Sequence, residues 1–295
     1  MQIIPRSEFE NHPLFARLLE LHDIPPHLYI EGELPKIQVD EYGRATPRIL
    51  TVVGSRNHTT YASDVIEHLF KELSGLPVII VSGLALGVDG LAHKHALLHN
   101  LPTISVPGSG LDKKVLYPKS HKPLADEILS KGGALLSEFD PLTPPAQWTF
   151  PSRNRIMAAL SDAVLIIEAE EKSGTLITAR LALELGRDIG AIPGNIFSNT
   201  SVGTNMLIKE GAYAIRHAED LCDLLHLSYK EKEKRPEIAL TSSEKILVEL
   251  LREPKEKDML LIESKLSPTE FLVALSSLEM KGQVRDTFGE IRIIV

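Results

Sequence analysis

The sequence predicts an α/β protein, a mostly parallel sheet with helices on both faces, followed by a small C-terminal winged-helix domain. Three observations lead there. From residue 49 onward, short apolar runs recur: ILTVVG, VIIVSG, TISVPG, GALLSE, AVLIIEA and IGAIPG. They alternate with YASDVIEHLFKEL, LAHKHALLH, KPLADEILSKG and TLITARLALELGR, whose apolar residues fall three and four apart, the spacing of one helical face. Strands apolar throughout are covered on both faces, as in parallel sheets. Finally, the pattern changes after residue 240 to two helices and a hairpin, the order of a winged helix.

Taken in order, HPLFARLLELH reads as one helix and HLYIEG as one strand. That is too little for an independent domain, so residues 1–48 are expected to form a short N-terminal extension packing on the main domain, 49–226. HLSYKEKEKRPEIAL is charged, carries a proline and lacks periodicity, which predicts a linker over 227–240. In 241–295, TSSEKILVELL reads as a capped helix. LSPTEFLVALSSLEMKG reads as another, with Ser267 or Thr269 near its cap and Gly282 at its stop, and QVRDTFGEIRIIV as a hairpin turning at FGE.

Composition narrows the function. The chain has 295 residues, 43% of them hydrophobic, enough for a large domain plus a small one. No run approaches a membrane span and the first residues lack the apolar core of a secretion signal, so a cytoplasmic protein without membrane contact is expected. The single Cys222 reads as a small packed hydrophobe. A net charge of -8 argues against coating duplex DNA by charge alone, so basic residues must be located rather than summed. In 241–295, eight Lys or Arg stand against ten Asp or Glu, and the candidate recognition helix has one basic residue; protein contact fits it better than groove reading.

Strands of a parallel sheet end on one edge, where ligands bind. Four glycine-containing breaks follow strands here: Gly54-Ser55-Arg56, Ser82-Gly83, Gly108-Ser109-Gly110 and Ser173-Gly174-Thr175. Glycine lets backbone approach a ligand, and a helix start favours an anion, so a shared phosphate site is expected. Neither G-x-x-x-x-G-K-[ST] nor G-x-G-x-x-G is present, so no nucleotide cofactor is expected. PPAQWTFPSRNRIMAAL sets Trp148 and Phe150 before Arg153, Asn154 and Arg155. Aromatic faces beside guanidinium groups suit single-stranded nucleic acid, although both rings could equally pin a loop to the core. LDKKVLYPKSHK adds Lys113, Lys114, Lys119 and Lys122, a run that is either a solvated face or part of the same edge. Asp89 is expected to cap the helix after it. His93 and His95, two apart, do not face one ion and read as structural, and no metal is expected.

In order, VVGSR, SGLALGVDGLAH, PGSGLDKKVLYP, GALLSE, FPSRNRIMAALS, EAEEKSGTLITARLALELGR, AIPG and VGTNMLIKEGA resemble the block pattern of the DNA-processing protein A family (DprA, also called Smf) over about residues 49–215. The resemblance implies an extended Rossmann-like domain that binds single-stranded DNA, a homodimer, protection of incoming DNA, and help in loading the recombinase RecA during natural transformation. By position it implies that Arg56, the PGSGLD loop, Phe150, Arg153 and Arg155 line the strand-binding pocket, with KSGTLITA as its floor. Two departures stand out: KSHKPL replaces a usual asparagine after YP, and the N-terminal helical domain of many members is truncated or absent. The alternative is a nucleotide-binding protein similar to nucleoside monophosphate phosphoribohydrolases. Their GGxGTxxE loop carries a catalytic glutamate where this chain has Thr178, so that reading loses its acid-base group.

Overall fold

All six apolar runs fold as strands. The computed structural model describes residues 1–39, 45–229, 240–287 and 289–293, in two compact units, Met1–Lys230 and Glu231–Val295. The first unit opens with β1 (Gln2–Pro5), β2 (His27–Gly32) and a two-residue pair, β3 (Gln38–Val39) with β4 (Ala45–Thr46). Then come β5 (Arg48–Val53), α1 (Thr60–Leu73), β6 (Val78–Ser82), α2 (Val88–Leu98), β7 (Thr103–Ser105), α3 (Lys122–Ser130) and β8 (Ala134–Ser137). α4 (Thr149–Leu160), β9 (Ala163–Ile166), α5 (Gly174–Glu184), β10 (Asp188–Ala191), α6 (Val202–Lys209), β11 (Tyr213–Ala214) and α7 (Ala218–Leu224) complete it.

Nine of these strands form one sheet in the order β1-β2-β8-β7-β6-β5-β9-β10-β11. From β8 to β11 every pairing is parallel; β1 and β2 add an antiparallel edge. Alternate side chains feed two cores because successive residues point to opposite faces. Ile49, Val53, Ile79, Val81, Val164 and Ile166 join one core with α4 and α5, while Leu50, Val52, Ile80 and Leu165 join the other with α1, α2 and α7.

The N-terminal residues differ from the expectation of one long helix. Within HPLFARLLELH, Ala16–Glu20 forms a 3-10 turn; before it stand the strand Gln2–Pro5 and a second 3-10 turn, Arg6–Glu8. Phe9, Phe15 and Leu18 are buried in the core that holds α4, so a compact turn serves these apolar residues better than an amphipathic rod. Asp162 fastens the segment by accepting from Arg17 at 2.8 Å and Arg48 at 2.9 Å. Cys222 is buried, which pushes its thiol up to about 11 and leaves it inert.

In the second unit, α8 (Ser242–Leu250), β12 (Lys255–Glu256), α9 (Lys257–Ser264), α10 (Pro268–Met280), β13 (Val284–Thr287) and β14 (Glu290–Ile293) surround a core of Leu247, Leu260, Phe271, Leu275 and Ile291. The antiparallel order is β12-β14-β13. Thr241 with Glu244 and Ser267 with Glu270 form capping boxes, so Ser267 rather than Thr269 caps α10. Most of the sequence expected to be a linker, residues 230–239, lies outside the described residues, as does Phe288 of the expected FGE turn.

Candidate nucleic-acid interface

From β5 the chain steps outward through β6, β7 and β8, then returns to lay β9 on the other side of β5. Connections leaving β5 and β9 therefore diverge, and a crevice opens outside their carboxyl ends. A cleft of about 410 Å³ occupies that place. Gly54, Ser55, Arg56 and Asn57 line it after β5, Glu170, Ser173, Gly174 and Thr175 after β9, and Phe150, Arg153 and Asn154 from the first turns of α4.

Arg153 lies at the bottom, only 4% exposed. Its Nη1 donates to the Val106 carbonyl at 2.8 Å, and its Nη2 stands 3.7 Å from a carboxylate oxygen of Asp89, itself buried. Burial pushes the Asp89 pKa up despite the facing Arg153, and burial likewise pulls Arg153 down from its ordinary value. The guanidinium remains charged, but within the cleft that charge is matched. Asp89 therefore does not cap α2, whose N-cap is Gly87; its carboxylate accepts from the backbone of Ala85 and Gly83 and fixes the loop beneath the arginine. A Cβ at Gly83 would sit 1.3 Å from Arg153 Nη1. Gly83→Ala is thus expected to cost about 1–3 kcal/mol through overpacking, measured as a shift in the urea midpoint; an unchanged midpoint would show that the guanidinium has room to move.

Arg56 is the exposed cation of the rim. Its guanidinium lies 5.1 Å from the centroid of the Phe150 ring, a cation–π arrangement. Phe150 in turn packs on Gly108, where a Cβ would come within 2.6 Å of the ring, and meets Tyr117 edge-on with centroids 5.9 Å apart. Trp148 is 60% exposed and stands edge-on to Phe139 at 5.4 Å. Phe150 is thus partly a loop anchor, whereas Trp148 offers a face to solvent.

At the far wall α5 begins at Ser173, whose side chain accepts from the Thr175 amide at 3.1 Å. Glu168 is buried and ties two loops together. It accepts from the Thr59 amide at 3.0 Å, the Thr59 hydroxyl at 2.5 Å and the Thr200 hydroxyl at 3.3 Å.

Several residues expected at the site sit elsewhere. Arg155 is two residues beyond Arg153, which on a helix turns it to another side. It pairs with Glu138 and lies 3.7 Å from Asp23, outside the cleft lining. Ser82, Gly83, Gly108, Ser109 and Gly110 form the support: Ser82 donates to the Val52 carbonyl at 2.7 Å, and Ser109 to its neighbour's carbonyl at 3.0 Å. Lys114 and Lys119 are exposed on the loop that carries Tyr117, beside Phe150 rather than in the cleft. His93 is buried against Thr103 at 2.8 Å, and burial pulls it down to about 3, so it stays neutral. Sequence reasoning missed Asp89 as the partner of Arg153, and Glu170 and Asn57 as lining residues; no local pattern distinguishes them.

A family model described as DNA recombination-mediator protein A matches residues 8–226. The chain belongs to this family. Among family relatives, Protein Smf of Escherichia coli is 41% identical over 223 residues, covering 76% of this chain and 56% of that protein. The chain therefore matches little more than half the length of that relative. DNA processing protein DprA of Bacillus subtilis is 39% identical over 208 residues, covering 70% of this chain and 67% of the relative. The X-ray structure of DprA from Streptococcus pneumoniae superposes with a TM-score of 0.65 at 36% identity, over 75% of this chain and 73% of that one. DprA of Helicobacter pylori, whose structure is described for its single-stranded DNA binding mode, gives a TM-score of 0.62 at 31% identity, over 78% of this chain and 96% of that one. The extended Rossmann-like fold expected from the sequence is thus that of these family members.

Proposed function

We propose that the chain is a recombination mediator that holds single-stranded DNA on the carboxyl edge of its sheet. On this reading it protects incoming DNA and presents it to RecA during natural transformation, acting as a cytoplasmic homodimer without catalysing a reaction. The observation that carries the reading is the meeting of Arg56, Phe150, the Arg153 floor and the Ser173 turn at one cleft on the switch between β5 and β9. The described binding mode of the Helicobacter pylori relative supports it. RecA and the dimer rest on the family resemblance. The helix and strand order of the second unit supports a winged helix over 241–295, joined by a linker over 227–240 and suited by its acidic balance to protein contact. The absence of a carboxylate at Thr178, on the cleft wall, disfavours the phosphoribohydrolase alternative.

Affinity measured against salt tests the proposal. With single-stranded oligonucleotides, log affinity is expected to fall with log salt at about -0.7 per phosphate contacted. Duplex is expected to bind worse, because a cleft of about 410 Å³ accepts exposed bases one at a time and not a paired rod. Equal affinity for duplex would overturn the reading, and base release from nucleoside monophosphates would revive the hydrolase.

A further inference from the structure

We infer that Phe197 is a second base-stacking platform, extending the path of single-stranded DNA beyond the cleft. The inference rests on the proposed strand-binding function and adds a contact to it. Phe197 is 90% exposed and its neighbour Ile196 78% exposed, more open than Trp148 at 60%. Ile196 and Phe197 together present an exposed apolar patch, and covering it on binding is favourable.

The loop that presents it is built, not loose. The Phe197 amide donates to Asn195 Oδ1 at 2.9 Å, and the Ser198 amide to the Asn195 carbonyl at 3.0 Å. Asn205 donates to the Gly194 carbonyl at 3.0 Å and accepts from the Gly194 amide at 3.2 Å, while the Tyr61 hydroxyl donates to the Pro193 carbonyl at 2.8 Å. The ring is therefore set out on a braced turn, so stacking on it costs little ordering of the protein.

Position and charge argue for a nucleic acid strand as the occupant. Phe197 follows β10, whose carboxyl end shares an edge with those of β5 and β9 because all three are parallel. Its loop adjoins the Arg56 loop, since Thr59 and Thr200 both donate to Glu168. Exposed Trp148, the half-buried Phe150 of the cleft lining with Arg56 over its ring, and exposed Phe197 then stand along one edge. From β7 to β10 is four strand spacings, about 19 Å at about 4.8 Å each, a span for a polymer rather than a mononucleotide. Across residues 191–209 the sequence has no Asp or Glu, in a chain of net charge -8, so this segment adds no carboxylate to the path. Of those on the neighbouring segment, Glu168 is buried and bonded to Thr59 and Thr200, while Glu170 stands at the cleft.

The test compares the full chain with Phe197→Ala, Phe197→Trp and Arg56→Ala, using fluorescently labelled oligothymidylates of increasing length. Phe197→Ala is expected to weaken binding of a long strand by about 5- to 100-fold, the effect of one lost stacked base, with the salt slope unchanged. A strand too short to leave the cleft is expected to bind as before, and Phe197→Trp to bind long strands like the parent. If the parent binds, Arg56→Ala weakens it and Phe197→Ala does not, the platform is refuted while the cleft stands. If the parent binds no single strand, the underlying function fails. A dimeric parent turned monomeric by Phe197→Ala at equal concentration would assign the ring to self-association instead and overturn the inference.

Discussion

Alanine at Arg153 is expected to lower the stability of the main unit by about 3–5 kcal/mol, because it strands the buried Asp89 carboxylate without its counter-charge. Urea unfolding followed through Trp148, the single tryptophan of the chain, reads the main unit directly. Adding Asp89→Asn is expected to recover part of the loss, since the amide still accepts from the Gly83 and Ala85 backbone while removing the charge. The deficit also has a pH signature. Burial already lifts Asp89 above its ordinary 3.8, and without Arg153 the lift is larger. A carboxyl that holds its proton more tightly when folded makes stability fall as pH rises above about 4, so the variant is expected to trail the parent less at pH 5 than at pH 8. A loss under about 1 kcal/mol, or one independent of pH, would mean that water reaches the pair.

Arg56→Ala is expected to act on binding and leave folding alone, since its side chain is exposed and stands over Phe150. Single-strand affinity should drop by about 10- to 100-fold, the scale of a charge-assisted contact, with the salt slope reduced by about 0.7. Arg56→Lys is the informative control. Lysine restores the charge and hence the slope, but not the flat guanidinium that stacks on a ring, so affinity should return only in part. An alanine variant that binds like the parent, with an unaltered unfolding curve, would remove Arg56 from the interface. The contrast with Arg153 is physical: one arginine is free to meet phosphate, while the other is already paired with Asp89 and the Val106 carbonyl.

Much of the fold was legible in the sequence because buried strands and amphipathic helices are written in local periods. The runs from ILTVVG to IGAIPG are strands, and the glycine breaks after them share one edge because the strands run parallel. The N-terminal segment was misread because HPLFARLLELH has helical spacing, yet its apolar residues are drawn into a core built mostly from residues far along the chain. Within FPSRNR the two arginines look alike in sequence, and only the turn of α4 separates them, Arg153 toward the cleft floor and Arg155 toward Glu138 and Asp23.

By itself the sequence determined the α/β class, the alternation of strands and helices over residues 49–191 and the gathering of four glycine turns on one sheet edge, since each depends on neighbours a few residues apart. It did not show α9 between the two expected helices of the second unit. Tertiary structure alone decided that the cleft opens between β5 and β9, that Asp89 neutralises Arg153, and that Phe197 is left facing solvent. Strand order, burial and charge pairing are set by contacts between distant segments, and no local period records which distant residue will be the partner.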